Sequence, residues 1–362
     1  MSGGVDSCVA AYLLKEQGYE VIGLFMRTGV RGGPPQPTCA LPVMEPLPEE
    51  RPSRRGCCSA SDASDARRVA DSLDIPFYAL DFEQDFERII DYFVDEYTHG
   101  RTPNPCVMCN NWLKFGRLWD YARHIEAECI ATGHYAQVRG GRLLRARDPA
   151  KDQSYVLFGI QRDLLPHLMF PIGEFLKPQV REIARKLDLS VADKPESQEI
   201  CFVPSRDYQG LIAARLPEFD GAGEIVDTEG NVIGRHEGFQ GYTIGQRKGL
   251  GVALGSRRYV IEIDPETRRV VIGNRDELLG QQLLADRVNW LCDPPMCPVD
   301  CEVKIRYLHR PASATVTPLG DSRVRVMFRD SQSAITPGQA VVFYDGEQLL
   351  GGAYILSATI TA

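Results

Sequence analysis

The chain has 362 residues, 43% hydrophobic and 25% charged, the make-up of a water-soluble globular protein long enough for two or three domains. No apolar run approaches the ~20 residues that cross a bilayer, and no basic stretch leads into an apolar core and cleavage site, so no membrane partner is expected and the expected compartment is the cytoplasm. The net charge of −8 argues mildly against nucleic acid as a partner without excluding a local basic patch, and eleven cysteines in a reducing compartment read as catalytic, metal-binding or buried thiols rather than a disulfide framework.

In chain order, Ser2-Gly3-Gly4-Val5-Asp6-Ser7 is a short Gly-rich turn ahead of an apolar helix through Leu14. Two glycines let the backbone turn sharply, and the first N–H groups of the helix favour an anion, so the turn reads as a phosphate cradle, with a plain helix-capping turn as the alternative. It has neither the Walker spacing nor the dinucleotide Gly-x-Gly-x-x-Gly. A phosphate-binding turn in an α/β fold follows a parallel strand; none precedes Met1, so the native start is expected upstream. Tyr19–Met26 reads as a buried strand, and residues 29–58, with Cys39, Cys57 and Cys58, as a long irregular loop. Helices are expected over 61–73, 82–97 and 113–127, and strands at 76–80 and 129–133; this alternation predicts an α/β, doubly wound parallel sheet, with ligands at the strand ends near Met26 and Gly133-His134. Arg139, Arg142, Arg145, Arg147 and Lys151 flank a hairpin turn at Gly140-Gly141, either as a solvated hairpin or as a phosphate-backbone contact. A helix is expected over 180–187. After Pro204 the chain turns Gly-rich, with a hairpin around Asp264-Pro265, and from about 280 onward only strands are expected, at 303–307, 314–317, 323–328 and 340–344, with a turn at Asp345-Gly346. The expected domains are 1–204, 205–277 and 278–362, the last a small β-barrel or sandwich.

Cys106-x-x-Cys109, stiffened by Pro103 and Pro105, is placed just before a helix, where thiol pKa values fall. It reads as a redox pair, half a metal site, a nucleophile with a bystander, or two structural cysteines. Cys201, between Ile200 and Phe202, reads by itself as a core cysteine, and Cys292, Cys297 and Cys301, for which His309 is the nearest fourth ligand, as ordinary cysteines rather than a metal site.

Ser-Gly-Gly-Val-Asp-Ser at 2–7, Gly-Leu-Phe-Met at 23–26, Gly-Arg-Thr-Pro-Asn-Pro-Cys-x-x-Cys-Asn at 100–110, Ala-Thr-Gly-His-Tyr-Ala at 131–136, Lys-Asp-Gln-Ser-Tyr at 151–155, Ser-Gln-Glu-Ile-Cys-Phe at 197–202, Thr-Ile-Gly-Gln-Arg-Lys-Gly-Leu-Gly at 243–251 and Thr-Pro-Gly-Gln at 336–339 stand in one order. Over essentially the whole chain this resembles the bacterial tRNA-specific 2-thiouridylases, members of the ATP pyrophosphatase superfamily. The resemblance implies a pyrophosphatase (PP-loop) domain, a small central domain and a C-terminal β-barrel that contacts tRNA. It implies ATP with Mg2+, bound through Ser2, Gly3, Gly4, Val5, Asp6, Ser7, Met26 and Gly133, and adenylation of the C2 oxygen of the wobble uridine. Sulfur would come as a persulfide on Cys201, with Cys109 as nucleophile and a transient Cys109–Cys201 disulfide, supplied by a cysteine desulfurase or relay protein. The tRNA anticodon stem-loop would meet Asn104, Pro105, Cys106, His134, Lys151, Asp152, Gln153, Arg306, Tyr307 and Gln339. Some members carry Asp where this chain has Cys106, so Cys106, Cys109 and Cys201 are also an expected ligand set for a [4Fe–4S] cluster. An amide-forming adenylating ligase and a non-catalytic RNA-binding protein are the rival functions.

Overall fold

The computed structural model describes residues 1–29, 60–195, 200–203, 207–252 and 256–360. Cys39, Cys57, Cys58 and Ser197-Gln198-Glu199 therefore lie outside the described residues. In chain order the α-helices are α1 Val5–Glu16, α2 Ala60–Ser72, α3 Glu83–Thr98, α4 Pro105–Met108, α5 Leu118–His124, α6 Lys177–Lys186 and α7 Tyr208–Arg215, with a π-helical segment Cys109–Arg117 between α4 and α5. The strands are β1 Gly23–Arg27, β2 Phe77–Asp81, β3 Ile130–Ala131, β4 Gln137–Arg139, β5 Arg142–Leu144, β6 Leu168–Met169, β7 Gly223–Asp227, β8 Val232–His236, β9 Tyr259–Asp264, β10 Arg269–Gly273, β11 Leu279–Trp290, β12 Val299–Lys304, β13 Ala312–Gly320, β14 Arg323–Ser333, β15 Ala340–Asp345 and β16 Gln348–Ile360.

Two units divide the chain, Met1–Glu87 with Lys177–Asp207, and Arg88–Leu176 with Tyr208–Ala362. In the first, β1 and β2 run parallel from Gly23↔Phe77 to Arg27↔Asp81. Helix α1 buries Val5, Cys8, Val9, Ala10, Ala11 and Leu14, and α2 buries Ala66, Val69 and Ala70. Helix α3 crosses from one unit into the other; Phe86, Ile89, Ile90, Phe93, Val94 and Tyr97 recur at helical spacing and are all buried, which is why this stretch is a helix. Asp81 accepts a hydrogen bond from the Glu83 N–H at its start.

In the second unit β3 and β6 form another parallel pair, and β4 and β5 the hairpin expected at Gly140-Gly141. The parallel pairing of a doubly wound fold is thus present in two strand pairs. Strands β8-β7-β10-β9 form a four-stranded sheet over Ile225, Phe239, Val260, Val270 and Ile272, with β7 and β10 parallel. Strands β11-β14-β13-β12-β15-β16 then close into a six-stranded antiparallel barrel, because β16 also pairs with β11. The pattern of β14 shows why: Val324, Val326 and Phe328 point inward while Arg323, Arg325 and Met327 are exposed, the period-two signature of a half-buried strand.

Two expected placements need correcting. Arg306 and Tyr307 are not on a strand: β12 ends at Lys304, and they lie in the turn after it. Cys106 and Cys109 do not precede a helix but lie within one, which Pro105 opens at its first position, where a missing N–H costs nothing.

Candidate functional site

In the first unit the phosphate turn is built by exclusion. Gly3 has φ +69°, a left-handed value that favours glycine, and a Cβ there would overlap the backbone carbonyl of Asp62 in the first turn of α2. Gly4 is the N-cap of α1 and supplies no side-chain cap, so nothing on that residue covers the N–H groups that open the helix. Ser7 Oγ accepts from the Ser2 N–H at 3.0 Å and donates to the Gly4 carbonyl at 3.2 Å, which ties the turn into a loop. These features fit a phosphate: open donors, a positive helix end and no side chain between.

Two lysines not anticipated from the sequence hold this turn. Lys177 Nζ, on α6, donates to both carboxylate oxygens of Asp6 at 2.7 and 2.8 Å. Lys194 Nζ donates to the Gly3 carbonyl at 2.8 Å and to Asp62 and Asp65 at 2.6 Å each. Burial pushes the Lys194 ammonium down, but its hydrogen bonds to both carboxylates outweigh this and raise it above the ordinary lysine range. Burial likewise pushes the Asp65 carboxyl up, and Lys194 and Arg68 hold it below the usual range. Only the charges' distance in sequence, 132 and 129 residues, hid this strut from a reading of the chain. Cys201 is half-buried in the same unit, and the next residue, Phe202, packs edge-on against Phe86 of α3 with ring centroids 5.7 Å apart. Met26, on β1, is also in this unit.

The remaining expected site residues are in the second unit. Asn104 caps α4, its side-chain oxygen accepting from the Val107 N–H at 3.4 Å; Cys106 is exposed and Cys109, half-buried, opens the π-helical segment. Such segments concentrate at functional sites, and the sequence carries no signal for one. The approach to the thiols is clamped. Arg101 forms a two-pronged pair with the buried Glu96 at 2.8 Å per contact. The Thr102 N–H donates to the Pro337 carbonyl at 2.9 Å, and Gln339 Nε2 donates to the carbonyls of Thr102 and Pro103 at 2.9 and 3.2 Å. Gly338, at φ +86°, allows this approach, since a Cβ would stand 3.0 Å from Thr102 backbone atoms. Gln339, expected against RNA, thus spends its amide nitrogen on the Cys106 approach.

His134 is buried between the rings of Phe115 and Phe170; Thr132 Oγ1 lies 2.6 Å from its Nδ1 and Lys114 Nζ 3.4 Å from its Nε2. Burial, and then the Lys114 charge, drive the imidazole well below its usual range, so it is neutral at neutral pH. Gly133 precedes it, just beyond β3. Gln153 Oε1 accepts from the Tyr135 N–H at 2.9 Å, and Asp152 accepts from the N–H groups of Ala146 and Ser154, so both order the loop that carries Lys151. Arg306 donates to the Ser333 carbonyl at 3.2 Å, and Tyr307 packs on Tyr155. Among the other cysteines, burial pushes the thiol of Cys8 up to about 11 and that of Cys301 to about 12, values of inert packing groups. Among the described residues, no three or more His, Cys, Asp or Glu converge as metal ligands, and no helix is long and apolar enough to cross a membrane.

The geometry defines an α/β phosphate-binding domain with thiols on a clamped helix and a C-terminal barrel. The family profile described as tRNA methyl transferase HUP domain matches residues 1–205, the PRC-barrel domain of that group 209–274, and the aminomethyltransferase β-barrel domain 280–355. The tRNA-specific 2-thiouridylase of Rhodopirellula baltica is 50% identical over 99% of this chain and 95% of its own length. Those of Carboxydothermus hydrogenoformans and Clostridium perfringens are 48% and 47% identical, over 98% and 99% of this chain and 96% and 97% of theirs. The chain belongs to the tRNA-specific 2-thiouridylase family. A solved NMN synthetase from Francisella tularensis is a far slighter likeness, with TM-score 0.31 and 17% identity over 54% of this chain and 64% of that one.

Lys194→Met strands two carboxylates beside the phosphate turn. It is expected to cost about 2–4 kcal/mol of stability, at the low end because the site is partly solvated, and to weaken ATP binding while tRNA affinity holds. A urea midpoint and ATP affinity equal to wild type would remove the strut. A second expectation concerns pH. The folded pKa of His134 lies below the unfolded value of 6.5, so its contribution is intact above 6.5 and is lost as pH falls below it. Between about pH 7.5 and about pH 5.5 the wild type should therefore lose more melting temperature than His134→Asn; equal losses would assign the acid sensitivity elsewhere.

Proposed function

We propose that this chain is an ATP-dependent tRNA sulfurtransferase that converts the wobble uridine to 2-thiouridine. The observation that carries the reading is the uncapped Gly3-Gly4 turn at the start of α1, in a chain that matches 2-thiouridylases end to end. Uridine C2=O is a weak electrophile and its oxygen a poor leaving group. Attack of that oxygen on the α-phosphorus of ATP gives an O-adenylyl uridine and pyrophosphate, and makes AMP the leaving group. Gly3, Gly4 and Ser7, with Ser2 and Val5, receive the phosphates at the helix end, while Lys177 offsets the Asp6 charge that would otherwise repel them. Met26 and Gly133 are assigned to the nucleotide. Mg2+ would supply further neutralisation of the phosphates.

Sulfur arrives as a persulfide on Cys201, from a cysteine desulfurase or a relay protein. Cys109 thiolate attacks the inner sulfur, the outer sulfur bonds to C2, and AMP departs with the original oxygen. The sulfur gains the two electrons that the thiols lose as the Cys109–Cys201 disulfide, which a thiol reductant reopens. Cys106, exposed one turn from Cys109, faces the anticodon loop with Asn104 and Pro105, and the target base must be extruded to reach them. His134, Asp152, Gln153 and Gln339 support RNA recognition by ordering the segments around them, and Lys151, Arg306 and Tyr307 by direct contact. The three-part division 1–204, 205–277 and 278–362 belongs to the same proposal, supported by the three profile ranges. For a [4Fe–4S] cluster the helix offers two thiols one turn apart, and no step is assigned to it.

Cys109→Ala and Cys201→Ala should each abolish 2-thiouridine, read by nucleoside mass spectrometry, with tRNA affinity nearly unchanged. Normal product from either overturns the thiol assignment, and a methylated base in the same assay would favour the methyl transfer that the family description names. Protein prepared without oxygen should carry no iron; about four irons per chain, lost in Cys106→Ala, would replace the persulfide scheme with a cluster.

A further inference from the structure

The two residues after Cys109 are both asparagines, and both are turned into the protein. Asn110 is 2% exposed, and its Nδ2 donates to the Val156 carbonyl at 3.0 Å. The Asn111 side chain hydrogen-bonds the Tyr354 phenol on β16. It also presses on Gly159, where a Cβ would stand 2.0 Å from its Nδ2. The Oδ1 atoms of both asparagines are buried and have no hydrogen-bond partner among the described residues. Buried polar atoms in folded proteins are paired, and each bare acceptor is a cost that an apolar side chain of similar size would avoid. The fold keeps this pair for a reason other than stability.

The segment 154–160, on which the asparagines rest, is fixed in turn by the barrel. Tyr155 Oη donates to the Ala340 carbonyl at 2.8 Å, and the Ser154 and Tyr344 hydroxyls are 3.2 Å apart. Asn289 Nδ2 donates to the Phe158 and Ile160 carbonyls at 2.6 and 2.8 Å. Tyr354 packs edge-on against Phe158 with ring centroids 5.4 Å apart, and its hydroxyl donates to Met108 Sδ at 3.8 Å. Both neighbours of Cys109 are thus held, Met108 by the barrel and Asn110 by the chain that leads out of Lys151-Asp152-Gln153. Those three residues are the ones assigned above to the tRNA.

We propose that Asn110, with Asn111 beside it, is a positioning residue for the sulfur-transfer step: it sets Cys109 relative to the loop that receives the tRNA, and so relative to the base. The proposal rests on reading the chain as a 2-thiouridylase. Adenylation is assigned to the phosphate turn and does not draw on this contact. Sulfur transfer does, because it needs the Cys109 sulfur in line with its target, and a displacement of about 1 Å can cost about a hundredfold in rate. The two steps should therefore come apart when the contact is loosened.

The test is a single turnover of the full chain with tRNA, ATP and a persulfide donor, reading pyrophosphate and 2-thiouridine side by side. Wild type should release the two in equal amounts. Asn110→Ala should release pyrophosphate at the wild-type rate and bind tRNA with wild-type affinity, while 2-thiouridine forms about tenfold more slowly or worse. Gly159→Ala crowds Asn111 from the other side of the contact and leaves both asparagines in place. It should separate the two products in the same way, and it decides the matter if Asn110→Ala does not fold. A residue that only stabilises the fold would lower both products together, and that result overturns the proposal. So does 2-thiouridine formed by Asn110→Ala at the wild-type rate, or a loss of tRNA affinity that accounts for the slower product. Absence of tRNA-dependent pyrophosphate release from the wild type would instead remove the functional reading beneath it.

Discussion

One ammonium holds the first unit's functional end together. Lys194 takes the Gly3 carbonyl and the carboxylates of Asp62 and Asp65, so the Gly-rich turn, the start of α2 and the segment that follows α6 share a single charge centre. Gly3 makes this contact possible, because no side chain fits between it and Asp62. An anion-binding turn needs its N–H groups aimed outward before the ligand comes, and a rigid turn avoids paying for that order at the moment of binding. Phe202 against Phe86 packs the residue after Cys201 onto α3.

The second unit applies the same logic with neutral groups. Thr102 and Pro103 are pinned to Pro337, Gly338 and Gln339 by backbone and amide hydrogen bonds, with Arg101 locked on Glu96. The barrel turn thereby sets where the helix carrying Cys106 and Cys109 begins. Two motifs more than 200 residues apart are halves of one joint: the carbonyls of Thr102 and Pro103 accept from the Gln339 amide, and the Pro337 carbonyl accepts from the Thr102 N–H.

Local chemistry was legible where a residue's conformation announces its role. The glycines of the phosphate turn, the Asn-Pro entry to the thiol helix, the Gly140-Gly141 and Asp345-Gly346 turns and the alternation of β14 all carry their physics in neighbouring residues. What depended on distant partners was not legible. Lys177 and Lys194 look like ordinary surface lysines until the fold brings carboxylates to them, and Lys304 looks like any strand cation until its burial is seen. Arg306 and Tyr307 read as strand because β-branched and charged residues alternate up to them, and the chain leaves the barrel two residues earlier. The π-helical segment that opens at Cys109 and buries Asn110, Leu113 and Phe115 carries no signature in its own residues.

The central claim is that the phosphate turn serves to make uridine oxygen a leaving group, and an isotope label follows that oxygen directly. With tRNA carrying 18O at the wobble uridine C2 position, ATP and a persulfide donor, the released AMP should carry the label, in proportion to the 2-thiouridine formed. Label that stays in the RNA, or that leaves as water while AMP remains unlabelled, would contradict adenylation of the base.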